Sequence, residues 1–253
     1  MSEGCRDTVI LPLAGQGTRL GLPMPKELLP IGERRVALDA TLDLLAPQAD
    51  RLRVVAVLGE HWERREATVR HLIQVCGAWR IPLALTFQDP VWPESTGAVL
   101  SAAAWFGPAT LVLLPDQVLD SPAPEAIGDI IGLIHKGSQV AFLAAREDDV
   151  DRLAVDGALR LDEQPDEPPS VGDFADKPGR EAAGRFNAVW FGYAFARRSA
   201  EACVRVMHRS ALRSPLSQDE REVLLGAAVV EVGRFTDLGT WPSVTGYWNR
   251  DHG

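Results

Sequence analysis

Short, wholly apolar runs alternate along this chain with longer stretches whose apolar residues recur every three or four positions. A continuous apolar run suits a strand covered on both faces, whereas the three-four spacing suits a helix that buries one stripe. The runs predict strands at 8–13, 53–58, 82–87, 110–114 and 139–144, and the periodic stretches predict helices at 36–45, 60–77, 96–106 and 124–135. Strands alternating with helices imply an α/β chain with a doubly wound, mostly parallel (mixed) sheet flanked by helices. Such sheets bind ligands beyond the carboxyl ends of their strands. The loops after the first, third and fourth predicted strands should therefore share one cleft.

The later part of the chain is less regular. Residues 146–185 turn polar and proline-rich around DEQPDEPPSVGD, which reads as an irregular excursion or flap beside the sheet. The run RFNAVWFGYAFA at 185–196 predicts a strand whose Trp190, Phe191, Tyr193 and Phe195 serve packing. Helices follow at 199–208 and from Ser217, where Ser217 and Glu220 form a capping box. A short strand at 229–232 and a final helix from Trp241 complete the pattern. With 253 residues and 46% apolar content, the chain can bury a large core, and 1–253 is expected to be one domain.

A formal charge of −9 argues against nucleic acid as a partner, since phosphate backbones demand a basic surface. No stretch resembles a signal core or a membrane span, so a cytoplasmic protein without a membrane partner is expected. Cys5, Cys76 and Cys203 are scattered and share no metal spacing, and the five histidines show no common pattern.

Chemistry concentrates at residues 9–31, VILPLAGQGTRLGLPMPKELLPI. Gly15, Gly17 and Gly21 fit neither a P-loop nor a dinucleotide fingerprint, and Pro23 and Pro25 prevent an immediate helix. A glycine turn followed by Arg19 and Lys26 can still bring backbone N–H groups and two cations onto a polyphosphate. Asp116 stands just past the apolar strand LVLL, where a carboxylate needs a cation, and Mg²⁺ on triphosphate oxygens supplies one. Asp120 reads as a helix cap rather than a ligand.

Ala14 to Leu20 and Pro25 to Ile31 resemble the signature of the sugar-1-phosphate nucleotidylyltransferases, and the resemblance continues in order to about Trp241. It implies a Rossmann-like nucleotidyltransferase fold. It also implies a reaction in which a sugar 1-phosphate, or a sugar-like or cyclitol phosphate, attacks a nucleoside triphosphate and releases pyrophosphate. By the same resemblance Arg19 and Lys26 are catalytic, and Leu13, Ala14, Gly15, Gln16, Gly17 and Thr18 cradle the nucleotide. Gln88, Thr96 and Gly97 would meet the base, with a pyrimidine favoured. FTDLGTW resembles the family's Trp-x-Asp-x-Gly-Thr segment, which makes Asp237 the second Mg²⁺ ligand beside Asp116. Phe174 to Pro178 resembles its Glu-Lys-Pro motif, with Asp176 in place of the glutamate. Asp176, Lys177, Asn187 and Ala188 are then the sugar-phosphate residues. The short interval from Arg19 to Lys26 resembles that of N-acetylglucosamine-1-phosphate uridylyltransferases and of isoprenoid cytidylyltransferases. Two other readings stand beside the sugar nucleotidylyltransferase: a catalytically silent nucleotide-sugar-binding subunit, and a cytidylyltransferase acting on a non-sugar phosphate. The family is often oligomeric, which leaves room for a homo-oligomer.

Overall fold

The computed structural model describes residues 6–15, 19–22, 24–60, 65–164 and 167–251. In chain order the first half holds β1 (Asp7–Leu13), α1 (Ala37–Leu45), β2 (Leu52–Leu58), α2 (Glu66–Trp79), β3 (Leu83–Phe87), α3 (Glu94–Ser101), β4 (Ala109–Leu113), β5 (Gln117–Leu119) and α4 (Ala126–His135). The second half holds β6 (Val140–Arg146), α5 (Val150–Val155), β7 (Gly157–Gln164), β8 (Glu167–Asp176), α6 (Arg180–Ala183), β9 (Ala188–Ala196), α7 (Ala200–Ala211), α8 (Gln218–Glu222), β10 (Ala228–Glu231), β11 (Phe235–Asp237) and α9 (Trp241–Asp251). No helix among the described residues is long and apolar enough to cross a membrane.

β1 is a central strand because it is apolar on both faces. Val9, Leu11 and Leu13 pack with Leu38 and Leu42 of α1 and Ile127 and Ile130 of α4. Ile10 faces the other way, onto Val99 of α3 and Val204 of α7. This alternation is the period of two expected of a strand between helical layers. Each fully buried leucine or isoleucine contributes roughly 2–3 kcal/mol to the layer it joins. At the amino end, Asp7 is buried and accepts from the Ala109 backbone N–H at 3.1 Å, pairs with Arg51 at 3.3 Å and lies 2.9 Å from His135 Nε2. Those contacts fasten the end of the sheet opposite the functional loops.

The strand order is β3-β2-β1-β4-β9-β6-β10-β8-β7, with β7 also touching β9. β3, β2, β1 and β4 run parallel, as the alternation with helices predicts. β9 enters antiparallel to both β4 and β6, so the sheet is mixed, and parallel pairing dominates only its first half.

The expectation of an irregular excursion over 146–185 is corrected. The segment forms α5, the antiparallel pair β7 and β8, and the short α6, and its strands extend the main sheet. Composition misleads here because prolines and glycines sit near the sheet edge, where a missing N–H or a bulge is tolerated. Register breaks at Arg160/Leu161 and Asp162/Gln164 mark those bulges. Other boundaries shift modestly: the helix expected at 96–106 ends at Ser101 and passes into a 3₁₀ turn at Ala103–Trp105. The capping box forms as expected, with the Ser217 N–H donating to Glu220 Oε2 at 2.8 Å.

A third, smaller core lies beyond the carboxyl end of β1. Leu20, Leu29 and Ile31 pack there with Val118 of β5, Leu238 and Val244 of α9. Above it β5 and β11 form a separate two-stranded antiparallel sheet. This small sheet positions the chemistry.

Candidate active site

A cleft of about 1450 Å³ opens over the carboxyl ends of β1 and β4. Leu13, Ala14, Gly15, Arg19, Lys26, Gln88, Thr96, Asp116, Asp176, Lys177 and Asp237 all line it, from segments spread over most of the sequence. Gln16, Gly17 and Thr18 lie outside the described residues.

Asp116 follows β4 closely, and Asp237 ends β11. Antiparallel pairing sets Asp237 opposite Gln117, and the Leu238 N–H donates to the Asp116 carbonyl at 2.8 Å. The two aspartates are thus neighbours across a strand pair. Lys26 rises from a 3₁₀ turn, Lys26–Leu28, started by Pro25, whose ring presets an extended entry. Its Nζ is ion-paired with Asp116 Oδ2. Burial pulls the Lys26 ammonium down, but the Asp116 and Asp237 carboxylates outweigh it and hold the pKa above its usual value. Asp237 is disfavoured as an anion: burial first, then the Asp116 charge, push its carboxyl up to about 6. Its Oδ1 accepts from the Gly239 N–H at 2.6 Å. The donors are hard oxygens with more carboxylate charge than Lys26 alone relieves, which suits a divalent cation such as Mg²⁺. No group of three or more His, Cys, Asp or Glu side chains among the described residues is arranged to hold a metal, so a cation here would draw its other ligands from substrate and water.

The far end of the cleft is built by β7, β8 and β9. Lys177 Nζ lies 3.9 Å from Asp176 Oδ2. Asp156, just before β7, lines the same end, and burial raises both Asp156 and Asp176 above the ordinary carboxylate value. Two cleft residues, Glu94 and Lys177, hold positive φ angles of 67° and 51° without being glycine. Such strained backbone gathers where side chains must be aimed.

Not every expected site residue lines the cleft, and several make contacts within the fold. Gly97 does not line the cleft, since a Cβ there would come within 2.1 Å of the Trp92 carbonyl oxygen, and close packing requires the glycine. Asn187 accepts from the Leu161 N–H at 2.8 Å and donates back to its carbonyl at 3.2 Å, which joins the start of β9 to β7 outside the cleft. Ala188 is fully buried in the core. Thr96 lines the wall, with Oγ1 3.0 Å from His208 Nδ1. Asp120 caps no helix: it accepts from Thr236 Oγ1 at 3.2 Å and Arg250 Nη1 at 3.1 Å, tying β5 to α9. Among the aromatic residues of β9, Phe191, Tyr193 and Phe195 are core, while Trp190 reaches the cleft.

Sequence reasoning misses Glu27, Arg65, Asp156 and Trp190 among the lining residues. Glu27 carries a signal, because a carboxylate between Lys26 and Leu28-Leu29 must find a partner once that turn is buried. Its partner, Arg65, has no spacing relation that could reveal it.

No protein-family model and no curated protein sequence matches this chain. Solved structures do. A ligand-free UDP-glucose pyrophosphorylase is 17% identical over 98% of either chain, with a TM-score of 0.72. A Bacillus anthracis protein assigned as a glucose-1-phosphate thymidylyltransferase is 17% identical over 96% of this chain and 93% of its own, with a TM-score of 0.69. A UTP-bound UDP-glucose pyrophosphorylase from Acinetobacter baumannii is 15% identical over 97% and 93%, also with a TM-score of 0.69. The fold of this chain is that of the sugar-1-phosphate nucleotidylyltransferases. Within that class, the named neighbours act on uridine and thymidine nucleotides.

Proposed function

We propose that this protein is a Mg²⁺-dependent nucleotidylyltransferase that joins a nucleoside triphosphate to a sugar 1-phosphate, or a sugar-like phosphate, and releases pyrophosphate. The observation that carries this reading is the meeting of Asp116, Asp237 and Lys26 in one cleft with Gly15.

The attacking phosphate oxygen is already an anion, so the reaction calls for positioning and charge neutralisation rather than a deprotonating base. Lys177 is set to hold the acceptor phosphate, with Asp176 beside it for sugar hydroxyls. Lys26, an ammonium with three donors, can keep Asp116 while turning a second N–H toward the α-phosphate. Arg19 lines the cleft and makes no hydrogen bond or ion pair with another described residue, which leaves its fork for the β- and γ-phosphates that depart as pyrophosphate. Asp116 and Asp237 would hold the Mg²⁺. The chemistry a bound Mg²⁺ supplies is relief of negative charge on the phosphate oxygens.

Gln88 is placed to meet a base. Its Nε2 donates to the carbonyls of Trp92 and Glu94, the latter at 3.0 Å, so both amide hydrogens are engaged. The amide then offers only its Oε1 acceptor. That atom can accept from a base N–H, such as the ring N3–H of uracil or thymine or the exocyclic amino group of cytosine.

The test is pyrophosphate release from purified protein with Mg²⁺, a set of nucleoside triphosphates and a panel of sugar 1-phosphates. The reading requires release for at least one pair, and its loss in Asp116→Asn. Silence across the whole panel refutes it.

A further inference from the structure

In the cleft wall lies a buried polar cluster with no part in the reaction outlined above. The Glu27 side chain is only 2% exposed and that of Arg65 only 10%. Arg65 Nη1 is paired with Glu27 Oε1, and its Nη2 donates to the backbone carbonyl of Gly15. Thr68 Oγ1 donates to the same Glu27 oxygen at 2.9 Å. Three segments thus meet on one guanidinium: the end of β1, the 3₁₀ turn carrying Lys26, and the start of α2.

A buried ion pair is a weak source of net stability, because desolvation offsets most of the attraction. Geometry is what the fork supplies. A planar guanidinium addresses two acceptors in fixed directions at once, and an ammonium does not. Gly15 itself points to what is being held in place. A Cβ there would meet no described atom within 4 Å, and its φ is not in the left-handed region, so its described surroundings give no reason for a glycine. Gly15 lines the cleft, and a missing side chain there leaves space for a ligand to approach the backbone.

We propose that Arg65 is a positioning residue for the nucleotide: by bridging the Glu27 carboxylate and the Gly15 carbonyl, it fixes the spacing between Gly15 and Lys26. The inference rests on the nucleotidylyltransferase reading. Lys26 is held from both sides, through its own pair with Asp116 and through its neighbour Glu27 on Arg65. Loosening the Arg65 side frees the turn to drift relative to Gly15 while leaving the acceptor end untouched.

The experiment compares wild type with Arg65→Lys, which keeps the charge facing Glu27 and loses the fork. The readouts are the Kd for Mg-UTP and Mg-dTTP by titration calorimetry, the KM for nucleotide and for acceptor, and the melting midpoint. The expected result is a nucleotide Kd and KM raised about tenfold, with acceptor KM unchanged. A purely structural role would lower the midpoint and leave the Kd of the folded protein as in wild type, and that result overturns the inference. Should Arg65→Lys fail to fold, Glu27→Gln carries the same test, since it keeps the acceptor atom and weakens the grip on Arg65. An unchanged Kd there also overturns it. If wild type binds none of the nucleoside triphosphates of the panel, the nucleotidylyltransferase reading falls and the role of Arg65 with it. If wild type binds and the variant binds equally well, only the role of Arg65 falls.

Discussion

Replacing Asp237 by asparagine is expected to make the metal-free protein more stable while removing its activity. Burial and the neighbouring Asp116 raise this carboxyl from 3.8 to about 6. A tenfold change in proton affinity corresponds to about 1.4 kcal/mol, so an ionised Asp237 costs the fold about 3 kcal/mol at neutral pH. A folded-state pKa above the unfolded one means that the native protein binds the proton more tightly. On account of this group, stability therefore falls as pH rises from about 4 to about 6 and stays low above that. Asparagine imitates the neutral form and still accepts from the Gly239 N–H. In a domain of this size about 3 kcal/mol corresponds to roughly 6–12 °C in melting midpoint. Urea and thermal unfolding in chelator at neutral pH should show the variant ahead of wild type by that margin, and the difference should vanish near the ordinary carboxylate pKa of about 4. Added Mg²⁺ should raise wild type and leave the variant where it is. Asp116→Asn should act in the opposite direction, because it removes the partner of a half-buried ammonium. An Asp237→Asn protein no more stable than wild type at neutral pH would refute the reasoning.

Gly15→Ala meets no described atom and no positive φ, so its melting midpoint should match wild type while the KM for nucleotide rises about tenfold or more, measured by steady-state kinetics. Gly157→Ala should behave oppositely, since its Cβ would come within 1.8 Å of Trp190 Nε1, and a loss of about 1–3 kcal/mol should appear in urea unfolding. The thiols of Cys76 and Cys203 are buried, and burial pushes Cys76 up to about 11 and Cys203 up as well. Neither should react with a thiol reagent at mildly alkaline pH until the protein is denatured, as peptide mapping by mass spectrometry would reveal.

What the sequence discloses follows from how local each cause is. β1, β2, β4 and β6 are visible because strands buried on both faces are apolar throughout, and α4 because Ile127, Ile130, Ile131 and Ile134 repeat at helical spacing. The 3₁₀ turn at Lys26 follows a proline that presets its entry. β7 and β8 are hidden, since an edge hairpin with bulges tolerates the polar and proline residues that otherwise mark loops. The same limit applies to the site. Residues on strand ends and motif loops, such as Asp116, Lys26 and Lys177, fall into the cleft. Asn187 and Gly97 carry the right residue types, but their orientation depends on β7 and on Trp92, neither of which local sequence specifies. The contact of Arg65 with Glu27 joins two segments that approach only once α2 has packed on the sheet.

The pairing of β5 with β11 also governs when a newly made molecule completes its cleft. On the ribosome, Asp116 emerges long before Asp237 and meets Lys26 first. The pairing of Asp237 opposite Gln117 cannot form until the later strand has cleared the exit tunnel and docked. A half-synthesised polypeptide therefore lacks one of the two neighbouring carboxylates, and the small sheet that sets them side by side is completed only late in translation.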